Sequence, residues 1–216
     1  MSNYPIMLNL QNKDCVVVGG GKVATRKITS LLKVNANITV VSPSCTKEIQ
    51  EWSNDNLLIY YKKYFEKDDI KDAFLVVAAT NSPEVNLNVY QAVKKYQLIN
   101  IVNHPQLSNF IVPTVLKRGK LSIAVSTSGS SPSLAKKIRQ DLETIYDDTY
   151  EQYVDFLGEM RREIKLNIHD SNKRYLLLKH LLDPLYLELT RKGKYGERKK
   201  NFYTYVSRWG NHDYER

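Results

Sequence analysis

The stretch that most constrains the fold lies near the start of the chain, where an apolar run stops at three glycines. Residues 14–18 (Asp-Cys-Val-Val-Val) are typical of a buried β-strand, and residues 19–21 are all glycine. Apolar side chains then follow at helical spacing, at Val23, Ala24, Ile28, Leu31 and Leu32. This order of strand, glycine turn and helix is typical of the first unit of a dinucleotide-binding fold.

Each position of the glycine turn has its own physical role. We expect Gly19 to turn the chain sharply out of the strand, and Gly21 to leave room for a pyrophosphate beside the backbone. The helix N-terminus, with Lys22 and Val23, offers free N–H groups and a partial positive charge to phosphates. A glycine turn can also serve packing alone, but the strand before it and the helix after it favour a dinucleotide site at these four residues.

Strand-like and helical segments continue beyond this unit. Strands are predicted over residues 38–41, 57–61, 74–80 and 98–102, and helices over 22–33 and 84–96. Such an order predicts an α/β fold with a Rossmann-like parallel sheet, which binds ligands at the carboxyl ends of its strands. The residues that follow the second and fourth strands are therefore predicted to contact the dinucleotide: Ser42, Pro43, Ser44, Ala79, Thr80 and Asn81.

The residue type at the end of the second strand bears on the choice of dinucleotide. Many such folds carry an acidic residue there for the adenosine ribose, or a nearby arginine for a 2′-phosphate. This chain has Ser42 instead, and no arginine directly follows it. We favour NAD over NADP.

The pattern changes after Pro105. Two strand-like runs, residues 110–116 and 121–126, flank the turn Lys-Arg-Gly-Lys and predict a β-hairpin. Because Pro113 lies inside the first run, that run fits an edge or domain-crossing strand. A basic helix should follow, with Ser131 as its N-cap and Pro132 at its first position.

The last part of the chain, residues 148–216, has helical periodicity and predicts a C-terminal helical domain. One predicted helix face carries Tyr153, Phe156, Leu157, Met160 and Ile164, and a second carries Leu176, Leu177, Leu178, Leu181 and Leu182. Such stripes are usually core or subunit contacts. We place the domain boundaries at 1–113 for the dinucleotide-binding domain, 114–147 for a hairpin and helix segment, and 148–216 for the helical domain.

Composition narrows the classes of function. The formal net charge of +9 favours a polyanionic partner. Basic residues without an intervening acid occur between 114 and 140, whereas a second basic cluster over 191–200 is interpreted as a solvated face. Two cysteines cannot build a disulfide framework. No apolar run approaches the roughly 20 residues of a membrane span, and the first residues do not resemble a signal peptide, so we expect a cytoplasmic protein.

Short segments spread over residues 1–145 are together more specific than the glycine turn alone. They are Tyr4-Pro5-Ile6, residues 16–27, residues 77–81 with Asn86, and residues 100–105, 110–113 and 123–132. In these the chain resembles the precorrin-2 dehydrogenases of the siroheme synthase N-terminal type, a family that includes bifunctional dehydrogenase/ferrochelatases. The resemblance implies NAD-dependent oxidation of precorrin-2 to sirohydrochlorin. It also implies a homodimer in which residues 114–147 form the dimerisation segment.

The resemblance also directs attention to two loops. Precorrin-2 is a tetrapyrrole rich in carboxylates, so Ser126, Thr127, Ser128 and Lys136 are candidate substrate-binding residues. The family usually has an aspartate, its favoured acid/base group, where this chain has Asn103. An amide takes up no proton at neutral pH, whereas an imidazole, the side chain type of the neighbouring His104, can act as a general base. We therefore name Asn103 and His104 as the catalytic candidates, with no metal-binding residue.

Two other functions remain open at this point. One is a non-enzymatic, dinucleotide-sensing protein whose basic surface meets nucleic acid. The other is an enzyme that inserts ferrous iron into sirohydrochlorin, either in addition to the oxidation or in place of it. We expect neither nucleic acid nor membrane as a partner.

Overall fold

Parallel strands organise the first part of the chain. They are β1 (Asp14–Val18), β2 (Asn37–Val41), β3 (Ile59–Tyr61), β4 (Leu75–Ala78) and β5 (Leu98–Ile101), and they pair in the order β3-β2-β1-β4-β5. The computed structural model describes residues 3–102 and 104–210, with side chains through residue 208. The chain divides into two units after Val112. The strand order brings the carboxyl ends of β1, β2 and β4 together at one edge of the sheet.

Helices connect the strands of the first unit and cover both faces of the sheet. They are α1 (Lys22–Leu32), α2 (Lys47–Asn54) and α3 (Pro83–Ala92), with 3₁₀ turns at Lys67–Ile70 and Pro105–Leu107. Val17 and Val77 face the buried residue Ile28 of α1, while Val16 and Val76 share the opposite core with Val89 of α3. Burial on both faces explains why the central strands are continuous apolar runs.

The predicted parallel sheet is confirmed, but two of the helices that connect its strands differ from the prediction. Helix α2 was not predicted, although Ile49 is buried on its inner face. Helix α3 ends at Ala92, four residues before the predicted end. Buried Gln97 explains this, because its side-chain oxygen accepts the Lys94 N–H at 2.8 Å and its amide donates to the Ile70 and Ala73 carbonyls, both at 2.6 Å. These bonds fold the chain back before β5.

The second unit starts with the predicted hairpin. Strands β6 (Thr114–Arg118) and β7 (Leu121–Val125) pair antiparallel, and Gly119 takes a φ of 53° in their two-residue turn. The predicted first run begins too early, because β6 starts after Pro113, whose nitrogen has no N–H to give to a strand ladder; as predicted, β6 is an edge strand.

Five helices follow in the described part of the second unit. They are α4 (Pro132–Ile145), α5 (Thr149–Asn167), α6 (Ser171–His180), α7 (Pro184–Arg191) and α8 (Tyr195–Gly210). The Ser131 hydroxyl accepts the Leu134 N–H at 3.2 Å, which confirms the predicted cap of α4. None of the helices in the described ranges combines the length and hydropathy needed to cross a membrane. The last four helices share one core, formed by Tyr153, Phe156, Met160, Ile164, Leu177, Leu181, Tyr186 and Phe202.

The basic cluster near residues 191–200 is not uniformly solvated, contrary to the prediction. Arg198 is only 5% exposed, its guanidinium carbon lies 4.2 Å from the centre of the Phe156 ring, and it donates to the Thr190 hydroxyl at 2.6 Å. Burial lowers the pKa of Arg198. The cation belongs to the domain core because its flat guanidinium packs on an aromatic ring.

Candidate functional site

A cleft of about 560 Å³ opens where β1, β2 and β4 end, in the first unit. This volume lies within the range of small-molecule and cofactor sites. Most of the residues predicted to bind the dinucleotide line it: Gly19, Gly21, Ser42, Pro43, Ser44, Ala79, Thr80 and Asn81. Lys22 and Val23 are exposed on the first turn of α1 and do not line the cleft.

The three glycines of the turn differ in what surrounds them. A Cβ atom on Gly19, whose φ is 118°, would lie 2.4 Å from the Ala79 carbonyl oxygen. A Cβ atom on Gly20 would lie 2.1 Å from the Ser44 carbonyl oxygen. Apart from the two chain neighbours of Gly21, no described residue has a heavy atom within 4 Å of such a position. The first two glycines therefore permit close backbone packing, and the third faces open space.

Backbone hydrogen bonds hold the floor of the cleft together. The Gly19 N–H donates to the Val41 carbonyl at 2.9 Å, and the Thr46 N–H donates to the Gly20 carbonyl at 2.9 Å. Sequence reasoning assigned Gly20 no role, because its neighbour is in a loop more than twenty residues away. Only the folded chain shows that contact.

Gly21 also occupies the N-cap position of α1. Having no side chain, it leaves the first N–H groups of the helix uncapped, and the first turn has no acidic residue. The positive end of the helix dipole then meets the open space beside Gly21. The donor set fits a phosphate or pyrophosphate group.

Hydroxyl groups fix the loop after β2. The Ser42 hydroxyl donates to the Ser44 carbonyl at 2.7 Å, and the Tyr60 hydroxyl donates to the Ser42 carbonyl at 3.0 Å. Burial, together with a hydrogen bond to Cys45, raises the pKa of Tyr60 to about 12. The two hydrogen bonds hold the backbone of this loop beside the cleft.

An asparagine of α3 fixes the loop after β4. The side-chain oxygen of buried Asn86 accepts the Thr80 hydroxyl at 2.8 Å and the Thr80 N–H at 3.3 Å. Its amide donates back to the Thr80 carbonyl at 3.2 Å. Asn86 thus holds the cleft-lining residue Thr80 without lining the cleft itself, a role that no local pattern in the sequence indicates.

Two aromatic residues of the cleft were also missed. Tyr64 and Phe65 follow β3 and line the cleft with Val85 and Asn88 of α3. Tyr64 is 78% exposed, whereas Phe65 is partly buried. They give this side of the cleft an apolar, aromatic wall, and their position after a predicted strand was the signal available in the sequence.

The catalytic candidates follow β5. Asn103 lies outside the described residues. His104 is exposed at the start of a 3₁₀ turn, its N–H donates to the Ile101 carbonyl at 3.2 Å, and it does not line the cleft. The structure therefore does not bring His104 together with the glycine turn.

The predicted substrate-binding residues belong to the second unit, at the turn between β7 and α4. The Ser126 hydroxyl oxygen accepts the Ser128 N–H at 3.1 Å, and the Thr127 hydroxyl oxygen accepts the Ser131 N–H at 3.1 Å. Each oxygen is used as an acceptor, which leaves the hydroxyl hydrogen to donate to a carboxylate. Lys136 is exposed one turn into α4.

The chain is similar to known proteins over most of its length. Three family models match in turn: NAD(P)-binding over residues 6–114, "Sirohaem biosynthesis protein central" over 118–144 and "SirC C-terminal domain" over 150–192. A solved structure of SirC, precorrin-2 dehydrogenase, matches with a TM-score of 0.79 at 36% identity, covering 92% of this chain and 100% of that one.

Among curated relatives, precorrin-2 dehydrogenase of Priestia megaterium is 39% identical over 193 residues, which are 89% of this chain and 96% of that protein. The Bacillus subtilis precorrin-2 dehydrogenase is 33% identical, with 74% of this chain and 98% of that protein covered. The siroheme synthase of Nitrosomonas europaea is 36% identical over 85% of this chain, but over only 39% of its own length. The chain therefore belongs to the precorrin-2 dehydrogenase family.

Proposed function

We propose that the protein oxidises precorrin-2 to sirohydrochlorin with NAD as the hydride acceptor. The observation that carries this proposal is the likeness to precorrin-2 dehydrogenases, which extends over nearly the whole length of two relatives. The cleft at the glycine turn supports it, because an uncapped helix N-terminus there faces open space.

The cleft supports NAD in particular. We place the pyrophosphate beside Gly21, the adenosine ribose at the Ser42–Ser44 loop and the adenine at the aromatic wall of Tyr64 and Phe65. Among the described residues that line the cleft there is no lysine or arginine to meet a 2′-phosphate. When bound, the nicotinamide supplies an acceptor for one hydride.

For this reaction the protein must hold the substrate and remove one proton from it. Hydroxyl hydrogens of Ser126, Thr127 and Ser128 donate to carboxylates of the tetrapyrrole, and the ammonium of Lys136 pairs with one of them. Oxidation removes a hydride and a proton, and His104 takes the proton. Positioning of the two reactants supplies much of the rate acceleration.

We further propose a homodimer built through residues 114–147, within a subunit of the three parts 1–113, 114–147 and 148–216. Helix α4 exposes Leu134, Ile138 and Ile145, and β6 exposes Val115. Light scattering should show a dimer that Ile138→Asp converts to monomer, whereas Leu166→Asp, on exposed α5 surface, leaves it intact. A wild-type monomer would contradict this assembly.

The comparisons do not favour a bifunctional enzyme. The relatives that the chain covers almost from end to end are named for the dehydrogenase alone, and the siroheme synthases extend well beyond it. The charge distribution also gives little support to a nucleic-acid-binding regulator, since Arg191, Lys192, Lys194 and Lys199 of the terminal cluster are in ion pairs. A cytoplasmic location remains a prediction.

A turnover assay tests the proposed function. Purified protein is incubated with precorrin-2, with and without NAD, and the absorbance of sirohydrochlorin is followed. We expect product only with NAD. If no product depends on NAD, the proposal fails, and saturable DNA binding without tetrapyrrole binding would favour the regulator.

A further inference from the structure

Lys27 is a half-buried cation on the inner side of α1. Its ammonium Nζ donates to the side-chain oxygen of Asn100, on β5, at 3.2 Å. No carboxylate forms an ion pair with it in the described part of the chain, and burial lowers its pKa, with a smaller effect from Arg26. Because a partly desolvated ammonium without a carboxylate is costly, this contact adds little to stability.

Asn100 extends the contact to the segment that follows β5. Its amide group donates to the Phe110 carbonyl at 3.2 Å, while its oxygen accepts from Lys27. The Asn100 side chain thus accepts a hydrogen bond through its oxygen and donates one through its nitrogen. The result is a hydrogen-bonded chain from α1, through the edge strand of the sheet, to Phe110.

Side-chain hydrogen bonds also hold the residues just before Phe110 against β5. The Ser108 hydroxyl accepts the Ile101 N–H at 2.9 Å and is 3.2 Å from the His104 carbonyl, to which it can donate. The Asn109 side chain accepts the Ile99 N–H at 2.8 Å. These bonds occupy N–H groups on the open edge of β5, and they hold the segment that contains His104.

We propose that Lys27 is a positioning residue: through Asn100 it fixes the segment containing His104 relative to α1, the helix whose first turn faces the dinucleotide. The proposal rests on the proposed function, in which His104 takes the proton. Lys27 does not line the cleft, so its effect should appear in turnover and not in dinucleotide affinity.

Three variants test the role: Lys27→Met, Asn100→Leu and the double variant. We expect Lys27→Met to lower kcat about tenfold, which corresponds to one lost charge-assisted hydrogen bond. Asn100→Leu should lower kcat at least as much, because it also removes the hydrogen bond to the Phe110 carbonyl. The double variant should match Asn100→Leu, because that substitution already removes the acceptor of the Lys27 ammonium. Lys27→Arg should recover part of the activity, and Lys33→Met, at the exposed C-terminus of α1, should behave as wild type.

Two readouts separate positioning from general structural damage. The melting temperature of Lys27→Met should be unchanged or higher, since a desolvated cation is removed, and its Kd for NAD should stay within about twofold of wild type. Independently of activity, amide hydrogen exchange at Leu107 and Ser108 should speed up in Lys27→Met and not in Lys33→Met.

The outcomes distinguish this role from the proposed function. If the wild-type protein shows no turnover, the proposed oxidation of precorrin-2 fails. The hydrogen-exchange measurement would still test whether Lys27 holds the segment that contains His104. Unchanged exchange in Lys27→Met, wild-type kcat, additive losses in the double variant or a parallel loss of NAD affinity would each overturn the positioning role.

Discussion

Substituting the glycines of the turn one at a time should separate folding from ligand binding. In Gly21→Ala the new methyl group lies within 4 Å of no described residue other than its chain neighbours, but it enters the space assigned to the pyrophosphate. In Gly19→Ala the methyl group would lie 2.4 Å from the Ala79 carbonyl oxygen, at a φ of 118°. Gly21→Ala should therefore weaken ligand binding, and Gly19→Ala should destabilise the fold.

The magnitudes follow from these surroundings. For Gly21→Ala, replacing glycine by alanine at an N-cap costs less than about 1 kcal/mol of stability. Displacing the pyrophosphate from the N–H groups costs about 3 kcal/mol of binding, which is about a hundredfold in Kd. For Gly19→Ala, a left-handed backbone costs about 1–2 kcal/mol and overpacking about 1–3 kcal/mol.

Calorimetric titration with NAD and thermal melting followed by circular dichroism measure the two effects. Gly21→Ala should melt within about 4 °C of wild type and bind NAD about a hundredfold more weakly. Gly19→Ala should melt about 5–15 °C lower. Wild-type NAD affinity in a folded Gly21→Ala protein would refute the assignment of this open space to the pyrophosphate.

Three further predictions test other parts of the site. In turnover assays, His104→Ala should lower kcat more than Asn103→Ala, and full activity in both would remove acid/base chemistry from this loop. Iodoacetamide should label Cys45, which lines the cleft, and bound NAD should slow that labelling. Cys15 should stay unlabelled, because burial raises its pKa to about 11. If NAD does not slow the labelling of Cys45, NAD does not cover this part of the cleft. Asn86→Ala should cost about 2–3 kcal/mol of stability, measured by thermal melting, because buried hydrogen bonds to Thr80 are lost. It should also weaken NAD binding, measured by titration. An unchanged Kd for NAD would show that the Thr80 loop does not contact NAD.

The sequence predicts the sheet well because its signals are local. The apolar run before Gly19 matches β1 in full, and the periodicity after Gly21 matches α1 to within one residue. The same holds for the cap at Ser131, where a hydroxyl and a following proline act within one turn. These features depend on neighbours in the chain.

What the sequence does not predict depends on contacts between distant residues. The early end of α3 follows from Gln97 bonding to carbonyls of the preceding 3₁₀ turn region, and the need for glycine at position 20 follows from the Ser44 backbone. Arg198 illustrates the same limit, because its basic neighbours indicated a solvated face while Phe156 holds it in the core. Pairings of this kind appear only when the chain is folded.

The measurement that tests the central claim most directly is the stoichiometry of the oxidation. Purified protein, precorrin-2 and NAD are combined without oxygen, and NADH and sirohydrochlorin are both quantified, with Gly21→Ala as the matched control. We predict equal molar amounts of the two products from the wild-type protein and a much lower rate from Gly21→Ala at limiting NAD. Sirohydrochlorin formed without NADH, or no sirohydrochlorin at all, would contradict it.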